Sequence, residues 1–186
     1  MKSPFLQRKE SILSKKDKSS KGDWDEKIIK LCDKINSLDN YYTSSSCSGR
    51  VVFLKDTDEK GPNLFEFVSH DFIALSDFEK YFLKKTKENL KFKQEPPILH
   101  VLCDNFESAQ KLLKKVHLEG WKHCGIISCG KNFVVEIIST EKLEFPLIKN
   151  GKILVDENFL KIIAEKSNVN LKKGWARIEK LRKSFK

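Results

Sequence analysis

The grouping of predicted strands around single predicted helices constrains the fold of this chain more than any other feature. Arg50–Leu54 and Leu64–Ser69 are short apolar segments that flank a polar turn with Gly61-Pro62, a pattern that predicts a β-hairpin. Further strands are predicted at Ile98–Cys103, Gly125–Cys129, Phe133–Ile138, Leu143–Leu147 and Ile153–Val155. Because strands and helices do not alternate regularly, we expect an α+β fold, a mixed β-sheet with flanking helices.

Helices are predicted where apolar residues recur on one helical face. These segments are 5–16, 23–37, 72–85, 104–120, the region after 156, and 171–181. Asp23 with Glu26, and Asp104 with Glu107, form capping-box patterns at the start of two of them. The last segment carries Leu171, Trp175, Ile178 and Leu181 on one face and Lys172, Lys173, Arg177, Lys180 and Lys183 on the other.

The length of 186 residues allows one domain with a buried core. We expect a single domain over residues 1–186, with basic segments at both ends. No apolar run approaches the roughly 20 residues of a membrane span, and residues 1–16 lack the apolar region of a signal peptide. The five cysteines show no C-x-x-C spacing, which predicts free thiols in a reducing compartment. We therefore expect a cytoplasmic monomer with no membrane partner.

The formal net charge of +10 is concentrated at the two ends of the chain. Residues 1–22 contain seven Lys or Arg against two acidic residues, and residues 166–186 contain eight against one. Between them, residues 79–93 hold six lysines and two glutamates. Basic ends favour a polyanionic partner, with nucleic acid as the leading candidate. A lysine-rich surface that only keeps the protein in solution accounts for the charge equally well.

Residues 43–50 read TSSSCSGR and stand directly before an apolar strand. Small polar residues of this kind are common in a loop that enters a strand. They also suit a pocket for a polar ligand, because small side chains let backbone N–H groups approach it, and Arg50 can bind a carboxylate or a phosphate through two parallel N–H groups. Cys47 is either a nucleophile, for which no neighbouring base is identifiable, or a small packed thiol.

Glycine-rich phosphate-binding loops are absent from the sequence, because its eight glycines are dispersed. This pattern argues against a Rossmann-type cofactor site. His123, Cys124 and Cys129 come nearest to a metal cluster, but they lack the turn between close ligands that zinc sites use, so we expect no metal. His70, after a strand, and His100, inside one, are candidate bases, although a histidine on a strand is more often a packed residue.

The sequence resembles the family of the wybutosine-synthesising tRNA methyltransferase, the third protein of that pathway, in a series of segments that occur in the same order. The resemblance extends from Phe5 to about Ile178 and is most specific over Tyr42–Arg50. Other matching segments are Lys18–Gly22 with Asp25, Ile35-Asn36, Ser69-His70, Glu95–His100, Gly120–Ile126, Leu143–Leu147, Gly151 and the Asn168 region. The chain departs from the family at Lys122 and Cys124, where the family has arginine and serine. Lysine keeps the charge but loses the bidentate geometry of arginine.

The resemblance implies an α+β enzyme, not a Rossmann-type methyltransferase. It uses S-adenosylmethionine to methylate a ring nitrogen of the wybutosine precursor 3′ of the anticodon of tRNA-Phe. The serine-rich segment then lies in the active cleft, where we expect Ser45, Ser46, Cys47, Ser48, Arg50 and Gly125 to bind the cofactor. His70 or His100 is the expected base, with His70 preferred at the exposed end of its strand. Expected tRNA contacts are Tyr42, Trp121, Lys122, Lys172, Lys173 and Arg177, and Tyr41, Tyr42 or Trp121 is expected to stack on the base.

Two other classes of function stay open on the residues alone. A non-catalytic RNA-binding protein fits the charge pattern equally well. A hydrolase or thiol enzyme built on Cys47 is the second. Binding of S-adenosylmethionine distinguishes the first class from an enzyme, and activity that survives Cys47→Ala excludes the second.

Overall fold

The computed structural model describes residues 2–14, 25–57, 63–82 and 88–185. Within them the helices are α1 Pro4–Leu13, α2 Glu26–Asn36, α3 Leu75–Phe82, α4 Phe106–Leu118 and α5 Glu157–Ser184. The strands are β1 Tyr41–Cys47, β2 Arg50–Lys55, β3 Phe65–Ser69, β4 Leu90–Glu95, β5 Ile98–Cys103, β6 His123–Cys129, β7 Phe133–Ile138, β8 Leu143–Lys149 and β9 Lys152–Ile153. None of these helices has the length and apolar character needed to cross a membrane.

The chain divides into two compact units, each with its own sheet. The first unit comprises Met1–Ser48, Pro97–Thr140 and Trp175–Lys186, and its strand order is β1-β5-β7-β6. The second comprises Gly49–Pro96 and Glu141–Gly174, with the order β3-β2-β4-β8-β9.

Neighbouring strands are antiparallel throughout both sheets of the described residues. The α+β class is therefore confirmed, with two antiparallel sheets in place of one mixed sheet. This arrangement differs from the mostly parallel sheet of the Rossmann fold. The expectation of one functional domain over residues 1–186 stays a prediction.

In the first unit, α2 and α4 bury their apolar stripes against one face of the sheet. The helices contribute Ile28, Leu31, Ile35, Leu112 and Val116, and the strands contribute Leu99, Val101, Val135 and Ile137. Each such side chain stabilises the fold by about 1.5–3 kcal/mol. Ile178 and Leu181, near the end of α5, complete this core. Because strand side chains alternate in direction, the residues between these strand positions lie on the opposite face.

Helix α1 covers part of that opposite face. Its Phe5 packs against Tyr42, with 5.1 Å between the ring centroids. Lys9 Nζ donates a hydrogen bond of 2.5 Å to the backbone oxygen of Leu38, and burial lowers the pKa of this lysine. Arg8 donates a 2.8 Å hydrogen bond to the side-chain oxygen of Asn132. These contacts fix α1 over one end of β1.

An aromatic cluster forms the core of the second unit. The ring of Phe53 on β2 lies 4.7 Å from that of Phe67 and 5.1 Å from that of Phe78, between ring centroids. Phe92 on β4 stacks on Phe145 of β8 at 4.9 Å. Offset aromatic pairs of this kind add about 0.5–1.5 kcal/mol each beyond burial. The cluster joins β2, β3, β4 and β8 with α3.

Two strands, β1 and β4, are absent from the sequence-based prediction. In β4 the residues Leu90, Phe92 and Gln94 are buried and alternate with Lys91 and Lys93, so the basic island is in part the outer face of a strand. Burial of Gln94 is tolerated because Asn170 donates a 2.7 Å hydrogen bond to its side-chain oxygen. A buried amide needs such a partner.

Several helix boundaries also differ from the prediction, and α3 begins at Leu75 in place of Phe72. The N-cap of α2 is Asp25, and that of α4 is Asn105, in place of Asp23 and Asp104. Asp23 lies outside the described residues, as do Lys18–Gly22, Gly61-Pro62 and residues 83–85. The two last predicted helices are one continuous helix of 28 residues, α5, whose residues up to Gly174 belong to the second unit.

Candidate functional site

The serine-rich segment is a strand, β1, at the edge of the first unit's sheet. It pairs with β5, and a register shift between Thr43 and Ser45 leaves Ser44 out of the ladder. Thr43 lies on the core side, where its backbone N–H donates a 2.8 Å hydrogen bond to the side-chain oxygen of Asn36. The irregularity turns Ser45 to the face opposite the core, and such bulges often re-aim a side chain near a functional site.

Asp25 connects the beginning of α2 with the end of the serine-rich segment. One carboxylate oxygen caps the helix by accepting the N–H of Lys27, and the other accepts the N–H of Ser48 at 2.7 Å. Ser48 is fully buried, and its hydroxyl oxygen has no hydrogen-bond partner among the described residues. Leaving a buried hydroxyl unsatisfied costs about 1–3 kcal/mol.

A row of four residues crosses the sheet on the face opposite the core. In the ladder Ser45 lies opposite His100, His100 opposite Glu136, and Glu136 opposite Gly125. The hydroxyl oxygen of Ser45 is 2.6 Å from Nδ1 of His100, and Nε2 of His100 is 2.8 Å from a carboxylate oxygen of Glu136. Ser45 is exposed, and the His100 and Glu136 side chains are 24% and 31% exposed. The row is therefore accessible, and side-chain hydrogen bonds join Ser45, His100 and Glu136.

Gly125 ends this row on β6, where its lack of a side chain leaves space. A Cβ atom added at Gly125 would meet no atom within 4 Å among the described residues. Packing therefore does not require glycine at this position. An open glycine beside Glu136 is consistent with its predicted place in a ligand site.

Cys47 follows the row on β1 and lies opposite Ile98, on the same face as Ser45 and His100. Its side chain is half-buried. Cys32 and Cys103 belong to the core on the other face, and burial raises the pKa of their thiols to about 11 and about 12. These two thiols are protonated at neutral pH and unreactive.

Arg50 begins β2 in the second unit. Its Nε donates a 2.6 Å hydrogen bond to a carboxylate oxygen of Glu95 on the paired strand β4, and its guanidinium lies 5.2 Å from the ring centroid of Phe65. The guanidinium has five N–H donors, and this bond uses the one on Nε. With a side chain 30% exposed, Arg50 is held in place while its outer N–H groups suit an anionic ligand.

His70 also belongs to the second unit, directly after β3. Its side chain is half-buried. The neighbouring Ser69 hydroxyl accepts the backbone N–H of Asp71 at 3.1 Å and forms a short turn there. The two predicted bases thus lie in different units, and the partners of His100 are both within its own sheet.

The residues expected to contact tRNA fall into two groups. Tyr42 is fully buried under Phe5, and Trp121 is 1% exposed within the core of the first unit. Neither ring has an open face for stacking on a base in this structure, so we assign both a packing role.

The predicted cationic contacts are more accessible. Lys122 is exposed after Trp121, and Lys172 and Lys173 are exposed on α5. Arg177 is partly buried, and its Nη1 donates a 2.5 Å hydrogen bond to the Ser139 hydroxyl. Lys172 and Lys173 are therefore accessible to a phosphate, whereas Arg177 would have to break its hydrogen bond to Ser139 to bind one.

Glu136 is the site residue that the sequence analysis missed. It is the one acidic residue in the apolar strand FVVEII, as His100 is the one polar residue in ILHVLC. A charged residue inside an apolar strand on the unburied face is a usable signal. The register that sets it beside His100 joins residues 36 positions apart, and local sequence patterns do not reveal it.

Comparisons with known proteins agree with this fold. Residues 7–186 match the family described as Methyltransferase TYW3. The chain is 38% identical over 170 residues to the tRNA(Phe) 7-((3-amino-3-carboxypropyl)-4-demethylwyosine(37)-N(4))-methyltransferase of Methanocaldococcus jannaschii, covering 86% of this chain and 88% of that one. A protein of the same name from Archaeoglobus fulgidus is 36% identical over 160 residues, covering 85% and 81%.

Two solved structures are similar as well. The PH1069 protein from Pyrococcus horikoshii OT3 superposes with a TM-score of 0.85 at 32% identity, covering 98% of this chain and 93% of that one. A hypothetical protein from Aeropyrum pernix gives a TM-score of 0.74 at 27% identity, covering 86% and 95%.

These matches define the class of the protein as a methyltransferase whose fold is not of the Rossmann type. Within that class, the chain belongs to the TYW3 methyltransferase family. The family resemblance found in the sequence is thereby confirmed, and an enzyme is favoured over a non-catalytic RNA-binding protein.

Proposed function

We propose that this protein transfers a methyl group from S-adenosylmethionine to N4 of 7-(3-amino-3-carboxypropyl)-4-demethylwyosine at position 37 of tRNA(Phe). One observation carries the proposal: relatives that share 31–38% of their residues with this chain over most of its length bear the name of that activity. Identity at this level, spread over 160–182 residues, supports a common reaction as well as a common fold.

The residues of the serine-rich segment suit a cofactor with a carboxylate, an amine and sugar hydroxyls. In the first unit, Ser45 and Cys47 lie on the face of β1 opposite the core, whereas Ser46 lies opposite Leu99 on the core face. In the second unit, the outer N–H groups of Arg50 suit an anionic group. When bound, S-adenosylmethionine supplies an electrophilic methyl group. The task of the chain's own residues is to hold the acceptor nitrogen in line with it, and such alignment lowers a reaction barrier strongly.

Contact with tRNA is assigned to exposed cations. Lys172 and Lys173 on α5 and Lys122 after α4 are solvent-accessible. Each lysine that neutralises a phosphate releases a counterion and steepens the salt dependence of binding. Removal of the proton from the acceptor nitrogen is assigned to a histidine, His70 or His100.

Mass spectrometry of the nucleoside product tests the proposal. The purified protein is incubated with S-adenosylmethionine and tRNA(Phe) that carries the unmethylated tricyclic base, and the nucleosides are analysed after digestion. We expect the base at position 37 to gain the mass of one methyl group. Binding of the tRNA without any product would support the non-catalytic alternative, and methylation of a different nucleoside would contradict the assigned substrate.

A further inference from the structure

Ser45, His100 and Glu136 form a hydrogen-bonded chain that packing does not explain. The core of the first unit lies on the other face of the sheet, where Leu99, Val101, Val135 and Ile137 are buried. Placing an imidazole and a carboxylate on adjacent strands contributes little stability when both are partly exposed. A serine, a histidine and a carboxylate within hydrogen-bond reach are instead the usual components of a proton-transfer site.

The carboxylate fixes which nitrogen of His100 carries the proton. An ionised carboxylate only accepts hydrogen bonds, so Nε2, at 2.8 Å from Glu136, is the protonated nitrogen. Nδ1 of the neutral ring then has a lone pair, and it accepts the hydroxyl proton of Ser45 across 2.6 Å. The Ser45 oxygen is left with its lone pairs directed away from the ring, toward the exposed side of β1.

We propose that Glu136, His100 and Ser45 act as a relay that removes the proton from the nitrogen that is methylated; this inference rests on the function proposed above. As the N–C bond forms, the N–H proton moves to the Ser45 oxygen, and the hydroxyl proton of Ser45 moves to Nδ1 of His100. The S–C bond breaks, and its electron pair stays on the sulfur of the methyl donor. Glu136 stabilises the imidazolium that results, and solvent later takes its proton.

The surroundings of the relay leave Glu136 as the group that compensates a positive charge on His100. Among the described strand residues of the first unit, the other titratable groups on this face are Cys47 and Tyr42 on β1 and His123 on β6, and α1, which covers part of the face, adds Arg8 and Lys9. Tyr42 is buried under α1, from which Arg8 bonds to Asn132. Glu136 is the acidic group within 2.8 Å of the ring, so it dominates the field that the imidazolium experiences. This arrangement favours His100 over His70, in contrast to the preference from the sequence.

Single-turnover kinetics of four variants test the relay. The variants are Ser45→Ala, His100→Asn, Glu136→Gln and, as a matched control, Glu107→Gln, which removes an exposed carboxylate on α4 that pairs with Lys111. Rates are measured at saturating S-adenosylmethionine and tRNA, with binding of both measured separately by calorimetry.

We expect His100→Asn to lose about 100-fold or more in rate, the usual contribution of a general base. Glu136→Gln should lose about 10- to 150-fold, the kinetic equivalent of one hydrogen bond to a charged group. Any pH dependence of the wild-type rate that comes from proton transfer to His100 should be lost in His100→Asn, which has no ring nitrogen to accept the proton. The control should keep both its rate and its pH profile.

A second measurement does not depend on activity. Nitrogen-15 NMR of the protein without ligands reports which ring nitrogen of each histidine is protonated. We expect the Nε2–H form for His100 in the wild type and in Glu107→Gln, and a mixture of the two forms in Glu136→Ala, in which no carboxylate selects one.

The outcomes separate the relay from the function on which it rests. A wild-type protein that forms no methylated base would overturn the function itself. An active wild type whose His100→Asn variant keeps its pH profile and loses less than tenfold in rate would overturn the relay alone. Covalent labelling of Ser45 by a fluorophosphonate would also count against the relay, because it would identify this serine as a nucleophile.

Discussion

Arg50 combines a fixed position with unused donors, which makes its role measurable. We expect Arg50→Ala to weaken binding of S-adenosylmethionine by about 10- to 150-fold, because hydrogen bonds to a charged group contribute about 1.5–3 kcal/mol. Arg50→Lys should recover only part of this affinity, since an ammonium cannot form the two parallel bonds of a guanidinium. Isothermal titration calorimetry measures both variants.

A cation on the same strand provides the matched control for Arg50. Lys55 also lies on β2 and pairs with Glu88 at 2.8 Å. Lys55→Ala should leave cofactor affinity unchanged. The free energy of unfolding should change little in either variant, because these ion pairs are partly exposed. Equal affinity in Arg50→Ala and Lys55→Ala would rule out cofactor recognition by Arg50.

Gly125 permits a separate test, because its environment predicts little effect of an added methyl group on stability but a lower methyl-transfer rate. An added Cβ meets no described atom within 4 Å, so Gly125→Ala should change the free energy of unfolding by less than about 0.5 kcal/mol. A methyl group in the space beside Glu136 should nevertheless reduce the methyl-transfer rate if substrate or cofactor occupies that space. Chemical denaturation and single-turnover kinetics give the two values, and a full rate would remove Gly125 from the site.

Among the helices and strands, α5 is the one on which we test tRNA binding. Lys172→Glu with Lys173→Glu reverses two exposed charges and leaves Arg177 bonded to Ser139. We expect weaker tRNA binding and a log–log salt slope that is reduced by about 0.7 to 0.9 for each phosphate that the variant no longer neutralises. Binding isotherms at several salt concentrations measure the slope.

Two lysines on α4 serve as the control for α5. Lys111 and Lys114 are exposed, so their reversal to glutamate changes the net charge by the same amount. If only net charge matters, both double variants will bind tRNA equally weakly. A difference confined to the α5 variant assigns the tRNA-binding surface to that helix.

The helices and strands could be predicted where their apolar residues form a clear pattern. They were harder to predict where pairing with a distant strand determines the conformation. The bounds of β5 and β7 follow from their apolar residues, and both are confirmed. β1 consists largely of serine and threonine, and its strand conformation comes from pairing with β5, which overrides a weak local preference. Buried and more exposed residues alternate in β4, but in the sequence its lysines are more conspicuous than the buried Leu90, Phe92 and Gln94.

The same limit applies to the site. The serine-rich segment, Arg50 and both histidines can be found from residue types and their order along the chain. The contact between His100 and Glu136 depends on the register of two strands, a long-range property. The burial of Tyr42 depends on α1, whose Phe5 covers it.

On the scale of the whole molecule, buried thiols predict how stability depends on pH. The pKa of Cys32 and of Cys103 is raised by burial from 9.0 to about 11 and about 12. The unfolded chain therefore loses these protons first, so stability is fully present below about pH 9 and declines as pH rises toward these values. The slope should reach about 1.4 kcal/mol per pH unit for each thiol.

Urea denaturation between pH 8 and pH 11 measures this decline. Cys32→Ala should flatten the slope, although it also lowers stability at every pH by leaving a small cavity. Cys129→Ala, at an exposed cysteine, is the control and should keep the wild-type slope. A Cys32→Ala variant with the full wild-type slope would show that this thiol does not titrate on unfolding.

The division into two units has a consequence for biosynthesis. The second unit has all its segments once Gly174 has been made, whereas the first unit also requires Trp175–Lys186. Ile178, Leu181 and Phe185, which belong to the core packed by α2 and α4, are in that late segment. On the ribosome, the first unit is therefore the last to acquire its full set of core residues. Its strand β1 is synthesised early, but the core around that strand is complete only after the second unit has been translated.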